Sequence, residues 1–249
     1  MPSICLIGNC HVANLKLGWP AIEAEFPDFQ LTFFASDGLS LSLEILEGKL
    51  VAPNVKIRER LALTSGIDGD IAPIYDAYVI CGLALSSIRM IRSAQQLAKQ
   101  ANGARRRATL DGMALDMEPP VRSSIAIDVI SKLRQLTDRP VFLIATPLTA
   151  YERHAEMWEG MKARNRIDLI AQAYGRACTN VARELDAVFV PQPIETVGPI
   201  PLSTWPQFYR LPPEQVKNEK AHHTHMNAAF GSIVLCDVLQ RIGTHLKAG

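Results

Sequence analysis

The sequence predicts an α/β protein with three layers, in which helices cover both faces of an open, mostly parallel five-stranded sheet. Five short apolar runs, rich in β-branched and aromatic residues, alternate with segments of helical length. A glycine or another turn residue follows most of these runs, as expected where a buried strand ends. This alternation favours parallel strands joined by right-handed crossovers, and 249 residues suit a single domain, 1–249.

The strands are expected where the apolar runs are shortest and most β-branched. We predict them, in chain order, at residues 3–7, 29–35, 76–81, 140–145 and 187–190. Residues 43–47 are compatible with a helical turn and 51–57 with a minor strand, and 65–70 reads as a loop.

Helices are expected between the strands, where helix starts and stops can be recognised. Ser86 is a candidate N-cap for one of them, and Pro119-Pro120 is expected to open another, since proline is tolerated in a first turn. The predicted helices cover residues 11–19, 21–26, 86–100, 119–136, 151–185 (with a break near 164–165) and 225–246. Residues 191–224 are rich in proline and predict a long lid or substrate loop.

Composition and charge exclude several classes of protein. Charged residues make up 20% of the chain and the formal net charge is +1, so neither nucleic acid nor an anionic membrane is expected as the main partner. No apolar run is long enough for a signal peptide or a membrane span. The five scattered cysteines contain no Cys-x-x-Cys pair, which argues against a disulfide framework or a zinc knuckle. We therefore expect a soluble, cytoplasmic protein.

The first strand leads into the most reactive group that the sequence offers. Gly8-Asn9-Cys10-His11 joins this strand to the first helix, which places Cys10 at the carboxyl edge of the sheet. Ligands bind at that edge in α/β proteins, and the amides of a helix start favour a thiolate. Cys10 is therefore the candidate nucleophile.

The loop before the last helix offers a base for this cysteine. Three of the six histidines, His222, His223 and His225, fall within four positions there. A histidine remote in sequence and adjacent in space is the usual partner of a cysteine nucleophile. We rank His225 first as the base, with His11 a weaker alternative. His222 and His223 are compatible with substrate contact, exposure or a metal site with His225. No metal is expected, because no convincing acidic ligand accompanies them.

These blocks, taken in order, resemble the SGNH (GDSL-type) hydrolases. Gly8-Asn9-Cys10-His11 resembles their Gly-Asp-Ser-Leu block with cysteine in place of serine, and Gly38 and Gly82 fall where their second and third blocks carry glycine. His225-Met226-Asn227 resembles their final His-Pro-Asn block. The cysteine variant, with Phe230-Gly231 after the histidine, resembles most the WcbI-like family. Those proteins are linked to capsular polysaccharide biosynthesis and are proposed acetyltransferases that bind coenzyme A.

The resemblance implies an SGNH/flavodoxin-like fold and acyl-transfer chemistry. Cys10 and His225 would be catalytic, and the oxyanion or substrate would be bound by a set comprising Asn9, His11, Gly38, Gly82, His222, His223 and Asn227. Coenzyme A or acetyl-CoA would be an acyl donor rather than an obligatory cofactor. The candidates to bind its phosphates are Arg105, Arg106 and Arg107. The alternative is that these arginines lie in an ordinary solvated loop.

The chain also departs from the SGNH pattern. Leu83 follows Gly82 without the expected asparagine, and His222 stands where the orienting aspartate belongs. Glu219 is a candidate substitute for that acid. Asn227 is equally compatible with a structural cap. The aromatic residues of the long loop are compatible with a lid, a substrate platform, simple packing or a homo-oligomer contact; they are Trp205, Phe208 and Tyr209.

The sequence thus predicts an O-acetyltransferase or ester hydrolase that acts on a glycan or small ester through a Cys-His dyad. A second possible mechanism is direct transfer without an acyl-enzyme, in which His225 is essential for activity and Cys10 is not. The alternative from another class is a non-catalytic protein that binds coenzyme A, a nucleotide or a glycan on the same fold.

Overall fold

A computed structural model describes residues 1–36, 42–100, 110–162, 166–218 and 223–248 of the chain. The central sheet consists of β1 (Ser3–Gly8), β2 (Gln30–Ala35), β3 (Ala77–Cys81), β4 (Val141–Ile144) and β5 (Ala187–Val190). These strands lie in the order β2-β1-β3-β4-β5, and every neighbouring pair is parallel. The predicted five-stranded parallel sheet is confirmed, each strand within about one residue of its expected bounds.

Helices connect the strands and close the chain. They are α1 (Val12–Gly18), α2 (Val55–Ser65), α3 (Ser87–Gln100), α4 (Leu110–Arg122), α5 (Ile125–Leu133), α6 (Ala155–Lys162), α7 (Ile167–Glu184), α8 (Pro213–Asn218) and α9 (Ala228–Ala248). None of the helices within the described ranges is both long and apolar enough to span a bilayer.

The alternating side chains of the strands build two apolar cores, one on each face of the sheet. In β1, Cys5 and Ile7 enter one core, while Ile4 and Leu6 enter the other. Residues of α2, α3, α4, α5 and α7 complete the first core, and residues of α1 and α9 complete the second. Helices therefore lie on both faces, as the sequence predicts.

The carboxyl ends of the central strands meet at one edge of the sheet. Gly8 pairs with Ala35 of β2 on one side and with Cys81 of β3 on the other. The chain leaves β1 toward β2 and returns on the opposite side at β3, so a crevice is expected outside these strand ends. The segments after β1 and β3 border this crevice.

The segment between β2 and β3 differs from its prediction. A short antiparallel hairpin, Glu44–Leu46 with Lys49–Val51, occupies the region expected to be a helical turn. Residues 55–57, expected in a minor strand, begin α2 instead. Asn54 caps this helix, because its side-chain oxygen accepts hydrogen bonds from the amides of Lys56 (2.9 Å) and Ile57 (3.4 Å).

Two further elements differ from expectation. Pro119 and Pro120 lie inside α4 near its end, and the next helix begins only at Ile125. The proline pair therefore marks a helix end rather than a start. Proline has no amide hydrogen to donate to the preceding turn, and this loss weakens the helix at that point. The long loop 191–224 also contains regular structure, because Ser203–Thr204 pairs with Thr149–Ala150 and α8 follows.

Candidate active site

The turn after β1 is shaped by its own side chains. A Cβ atom on Gly8 would lie 2.3 Å from the carbonyl oxygen of Cys81, so only glycine fits between β1 and β3. The side-chain oxygen of Asn9 accepts a hydrogen bond from the amide of His11 (3.3 Å), which is the short-range bond that lets asparagine organise turns. Asn9, predicted to contact the oxyanion or substrate, is buried and shapes the turn that presents Cys10.

The loop that carries His225 is fixed by a neighbouring extended segment. The amide of Arg210 donates to the carbonyl oxygen of His225 (3.0 Å). Asn227 donates from its side chain to the carbonyl oxygen of Gln207 (2.7 Å), and its side-chain oxygen accepts from the amide of Phe230 (3.1 Å). Of the roles considered for Asn227, these bonds describe the cap of α9 and a tie to the adjoining segment.

Two glycines bring α1 and α9 into direct backbone contact. A Cβ atom on Gly231 of α9 would lie 1.8 Å from the carbonyl oxygen of Asn14 in α1. One on Gly18 would lie 2.2 Å from the amide nitrogen of Ser232. No other residue type fits at this crossing without separating the helices. The contact holds together the turn that precedes α1 and the loop that precedes α9.

These two segments bring the predicted nucleophile and the predicted base together. The Sγ atom of Cys10 lies 3.3 Å from the Nε2 atom of His225, although the residues are 215 positions apart in the chain. Both side chains are partly buried. A thiol within hydrogen-bond reach of an imidazole is the geometry that an activated cysteine nucleophile requires.

The electrostatics of Cys10 differ from the sequence-based expectation. Burial raises the pKa of the Cys10 thiol, and the opposing hydrogen bond from its own backbone amide is the smaller effect. The net direction is therefore opposite to the one that a helix start alone predicts. A protonated thiol donates its hydrogen to His225 when Nε2 carries the lone pair, so the imidazole is placed to remove that proton.

His11, which directly follows Cys10 in the chain, also contacts the other residue of the dyad. Its ring meets the ring of His225 edge to face, with 5.6 Å between centroids. His11 is only 6% exposed, and burial, followed by the charges of His225 and His223, lowers the pKa of its imidazole to about 3. A neutral His11 thus stands beside the dyad at physiological pH. We call Cys10, His11 and His225 the Cys10 cluster.

Gly82 serves the turn in a way that the sequence does not indicate. Its φ angle is +77°, and a Cβ atom there would lie 2.6 Å from the side-chain oxygen of Asn9 and 3.0 Å from the ring of His11. Its amide donates to the carbonyl oxygen of Ile144 (2.9 Å), so that amide is engaged between strands rather than directed at an oxyanion. Gly82 leaves the space in which the side chains of the Cys10 turn pack.

A cavity of about 270 Å³ opens beside the dyad. Besides Cys10 and His225, its lining includes Asn14 and Arg210, which were not among the residues predicted for the site. Asn14 follows Cys10 by four positions, a helical spacing that could have indicated a shared face. Nothing in the sequence signals Arg210, because the pairing of Tyr209 with Met226 brings it there.

His223, which lies in the same loop as His225, belongs to a different cluster. The ring of His223 packs edge to face on His154, with 5.5 Å between centroids, and His154 packs in the same way on the buried Trp158 at 6.0 Å. We call His154, Trp158 and His223 the His154 cluster. Of the roles considered for His223, this contact describes packing at the crevice edge.

The aromatic residues of the long loop divide between packing and exposure. Tyr209 is buried, and its hydroxyl donates to the carboxylate of Glu152 (2.8 Å). Phe208 is buried against Phe230, whereas Trp205 is 40% exposed. The predicted residues Gly38, Arg105, Arg106, Arg107 and His222, with the substitute acid Glu219, lie outside the described ranges.

Comparison with known proteins gives distant structural likeness alone. No protein-family model and no curated protein sequence matches the chain. A lipase from a goat rumen metagenome shares 11% identity, with a TM-score of 0.45 and coverage of 98% of each chain. A family two carbohydrate esterase from Clostridium thermocellum shares 13%, with a TM-score of 0.43 over 99% of this chain and 64% of that one. The periplasmic domain of a lipopolysaccharide acetyltransferase from Salmonella ser. Paratyphi A shares 9%, with a TM-score of 0.48 over 96% of this chain and 83% of that one. At these scores the likeness assigns the chain neither a family nor an activity.

Proposed function

We propose that this protein is an acyl-transfer enzyme in which Cys10 is the nucleophile and His225 is the general base. The observation that carries the proposal is the 3.3 Å separation between Cys10 Sγ and His225 Nε2 at the carboxyl edge of the sheet. The ordered SGNH-like blocks of the sequence support the same reaction class. The substrate is an ester or thioester, and the acyl group passes to water or to a glycan hydroxyl.

The first half of the reaction loads the acyl group onto the enzyme. His225 Nε2 takes the thiol proton as Cys10 Sγ attacks the carbonyl carbon of the donor. The tetrahedral intermediate collapses, the bond to the alcohol or thiol breaks, and that leaving group receives the proton from His225. An acyl thioester on Cys10 remains.

The second half returns the enzyme to its starting state. His225 removes a proton from water or from a sugar hydroxyl, whose oxygen attacks the thioester carbon. The carbon–sulfur bond breaks, and the proton passes from His225 back to the sulfur. Hydrolysis and O-acetyl transfer differ in the acceptor alone, so one dyad serves both.

The surroundings of the dyad suit the acyl end of a donor. The cavity of about 270 Å³ lies near the lower end of the range for small-molecule sites. Arg210 on its wall offers a positive charge to an anionic donor such as acetyl-CoA. The backbone amides of Cys10 and Gly38 are the proposed oxyanion donors. The amide of Gly82 is not among them, because it bonds to Ile144.

Intact-mass measurement after incubation with acetyl-CoA or an activated acetyl ester tests the proposal. We expect one acetyl group per chain, mapped to Cys10, together with release of coenzyme A or of the alcohol. The Cys10→Ala variant should lose both the adduct and the turnover. Cys236→Ala is the matched control, because Cys236 is the other partly exposed cysteine of the described residues and lies on α9.

Two outcomes would contradict the dyad. An adduct that persists in Cys10→Ala would place the nucleophile elsewhere. Turnover that survives Cys10→Ala but not His225→Gln would indicate direct transfer without an acyl-enzyme. Thermal stabilisation by coenzyme A with no turnover of any acyl donor would instead indicate the alternative function, a non-catalytic binding protein.

A further inference from the structure

The Cys10 cluster brings together three side chains that bind transition metals. One ligating atom from each of Cys10, His11 and His225 lies within 4.8 Å of the other two. The sequence pattern suggested a metal only on the histidines of one loop, without a thiol. The structure instead joins one histidine of that loop to the cysteine and histidine that follow β1.

His11 supplies the second observation that points to a ligand. The residue is 6% exposed. Within the part of the chain that the structure describes, no hydrogen-bond partner reaches its buried Nδ1 atom. A buried polar atom without a partner is rare in folded proteins and calls for an explanation such as a bound ion. Packing alone therefore leaves this ring nitrogen unexplained.

The distances suit a tetrahedral ion with one thiolate and two imidazole ligands. Zinc–sulfur bonds of about 2.3 Å and zinc–nitrogen bonds of about 2.1 Å hold sulfur and nitrogen about 3.6 Å apart. The separation between Cys10 Sγ and His225 Nε2 is 3.3 Å. All three ligating atoms lie within 4.8 Å of one another, so side-chain shifts of about 1 Å bring them to the spacing that zinc requires. A thiolate with two imidazoles favours zinc over magnesium or calcium.

We propose that Cys10, His11 and His225 form a three-ligand site for Zn²⁺ and that the bound ion reversibly blocks acyl transfer. Binding replaces the thiol proton with a sulfur–zinc bond and releases that proton to solvent. It also occupies lone pairs that the reaction needs on the sulfur and on the imidazole of His225. The blocking effect rests on the proposed function, whereas the metal site does not.

Metal titration of the chelator-treated, reduced protein tests the site directly. Co²⁺ serves as the spectroscopic probe, and Zn²⁺ competes with a chromophoric chelator. We expect one ion per chain and a thiolate-to-cobalt charge-transfer band. The band should disappear in Cys10→Ser, and Zn²⁺ affinity should fall about 100-fold or more in His11→Gln. The matched controls Cys236→Ser and His245→Gln, which lie on α9 away from the cluster, should bind Zn²⁺ as the wild type does.

Unchanged Zn²⁺ affinity in Cys10→Ser or in His11→Gln would overturn the site. Circular dichroism verifies that each variant folds, and His225→Gln, at a less buried position, replaces His11→Gln if that variant does not. Ester turnover with added Zn²⁺, and then with excess chelator, tests the blocking effect. Turnover that persists at saturating Zn²⁺, or that requires it, would refute blocking. Absence of turnover without metal would refute the proposed function, and the cobalt band would still decide whether the site exists.

Discussion

Two histidine clusters lie near the carboxyl edge of the sheet, and one loop contributes a histidine to each. In the Cys10 cluster, His225 meets a thiol at 3.3 Å. In the His154 cluster, His223 meets another imidazole, which packs on an indole. Both clusters contain edge-to-face rings about the same distance apart. A pair of histidines at this edge therefore does not define chemistry, and the thiol is what distinguishes the two clusters.

The clusters are more similar in their electrostatics than in their chemistry. Burial is the main cause that lowers the pKa of His11 to about 3 and the pKa of His154 to about 4. Each cluster thus holds one imidazole that is neutral at physiological pH. In the Cys10 cluster, the lowered pKa of about 3 makes His11 a weak base, which leaves the thiol proton to His225.

The largest expected difference is in kcat/KM, between variants in which one or the other of the two loop histidines is replaced by glutamine. We expect His225→Gln to lower kcat/KM for an acetyl ester about 10²–10⁴-fold, the usual contribution of a general base. Glutamine keeps the backbone carbonyl that accepts from Arg210. His223→Gln should leave kcat/KM close to the wild-type value, because the ring of His223 packs on His154. Steady-state kinetics on both variants provide the measurement.

Equal losses in the two histidine variants would remove the distinction between the clusters. Such a result would mean that the loop as a whole, rather than the imidazole of His225, supports turnover. Unfolding curves for both variants show whether either loss comes from misfolding.

The crossing of α1 and α9 offers a way to disturb the Cys10 cluster without changing any of its side chains. Gly231→Ala places a methyl group against the backbone of Asn14, at 1.8 Å from its carbonyl oxygen. We expect it to lower the free energy of unfolding by about 3 kcal/mol, the upper end of the usual overpacking cost. Urea unfolding measures that change. Turnover of the folded variant should fall as well, since the two residues of the dyad lie in the segments that directly precede α1 and α9.

Gly243→Ala is the matched control in the same helix. Its Cβ atom would meet only the ring of Phe29, at an ordinary 3.6 Å. Alanine in a helix interior gains up to about 1 kcal/mol over glycine. If Gly231→Ala proved as stable and active as Gly243→Ala, the crossing would not be what positions Cys10 against His225.

The sequence predicted what depends on strand pattern and motif order. Short apolar runs identified the five strands, and glycine at strand ends located the crevice edge. Cys10 and His225 followed from motifs near the starts of α1 and α9, and the structure brings their side chains together. The catalytic roles of both stay predictions.

Other features depend on packing that no local pattern encodes. α2 was missed because it buries few residues, Ile57 and Leu61 among them, which is a weak periodic signal, although Asn54 was a recognisable cap. Arg210 reaches the cavity through a pairing of two loop segments. The sequence ranked His11 below His225 as a base, yet His11 lies at the cap of α1 and its ring packs against the ring of His225.

The smallest expected effect is a change in how protein stability depends on pH, and it arises from the His154 cluster. The folded-state pKa of His154 is about 4, below its ordinary value of about 6.5. As the pH falls through that window, the unfolded chain binds a proton that the folded protein does not, so the free energy of unfolding falls. The causes are burial first, then the charges of His223, Arg92 and Arg153.

Thermal unfolding at a series of pH values tests this expectation. In His154→Gln, Tm should fall less steeply than in the wild type as the pH drops from about 6.5 to about 4. His245→Gln, on the exposed side of α9, is the control and should follow the wild type. A residual slope in His154→Gln is expected from His11, whose pKa of about 3 has the same sign of effect. Parallel curves for His154→Gln and the wild type would mean that the folded protein binds a proton at His154 as readily as the unfolded chain does. The two clusters would then differ in charge over this pH range, as well as in their nucleophile.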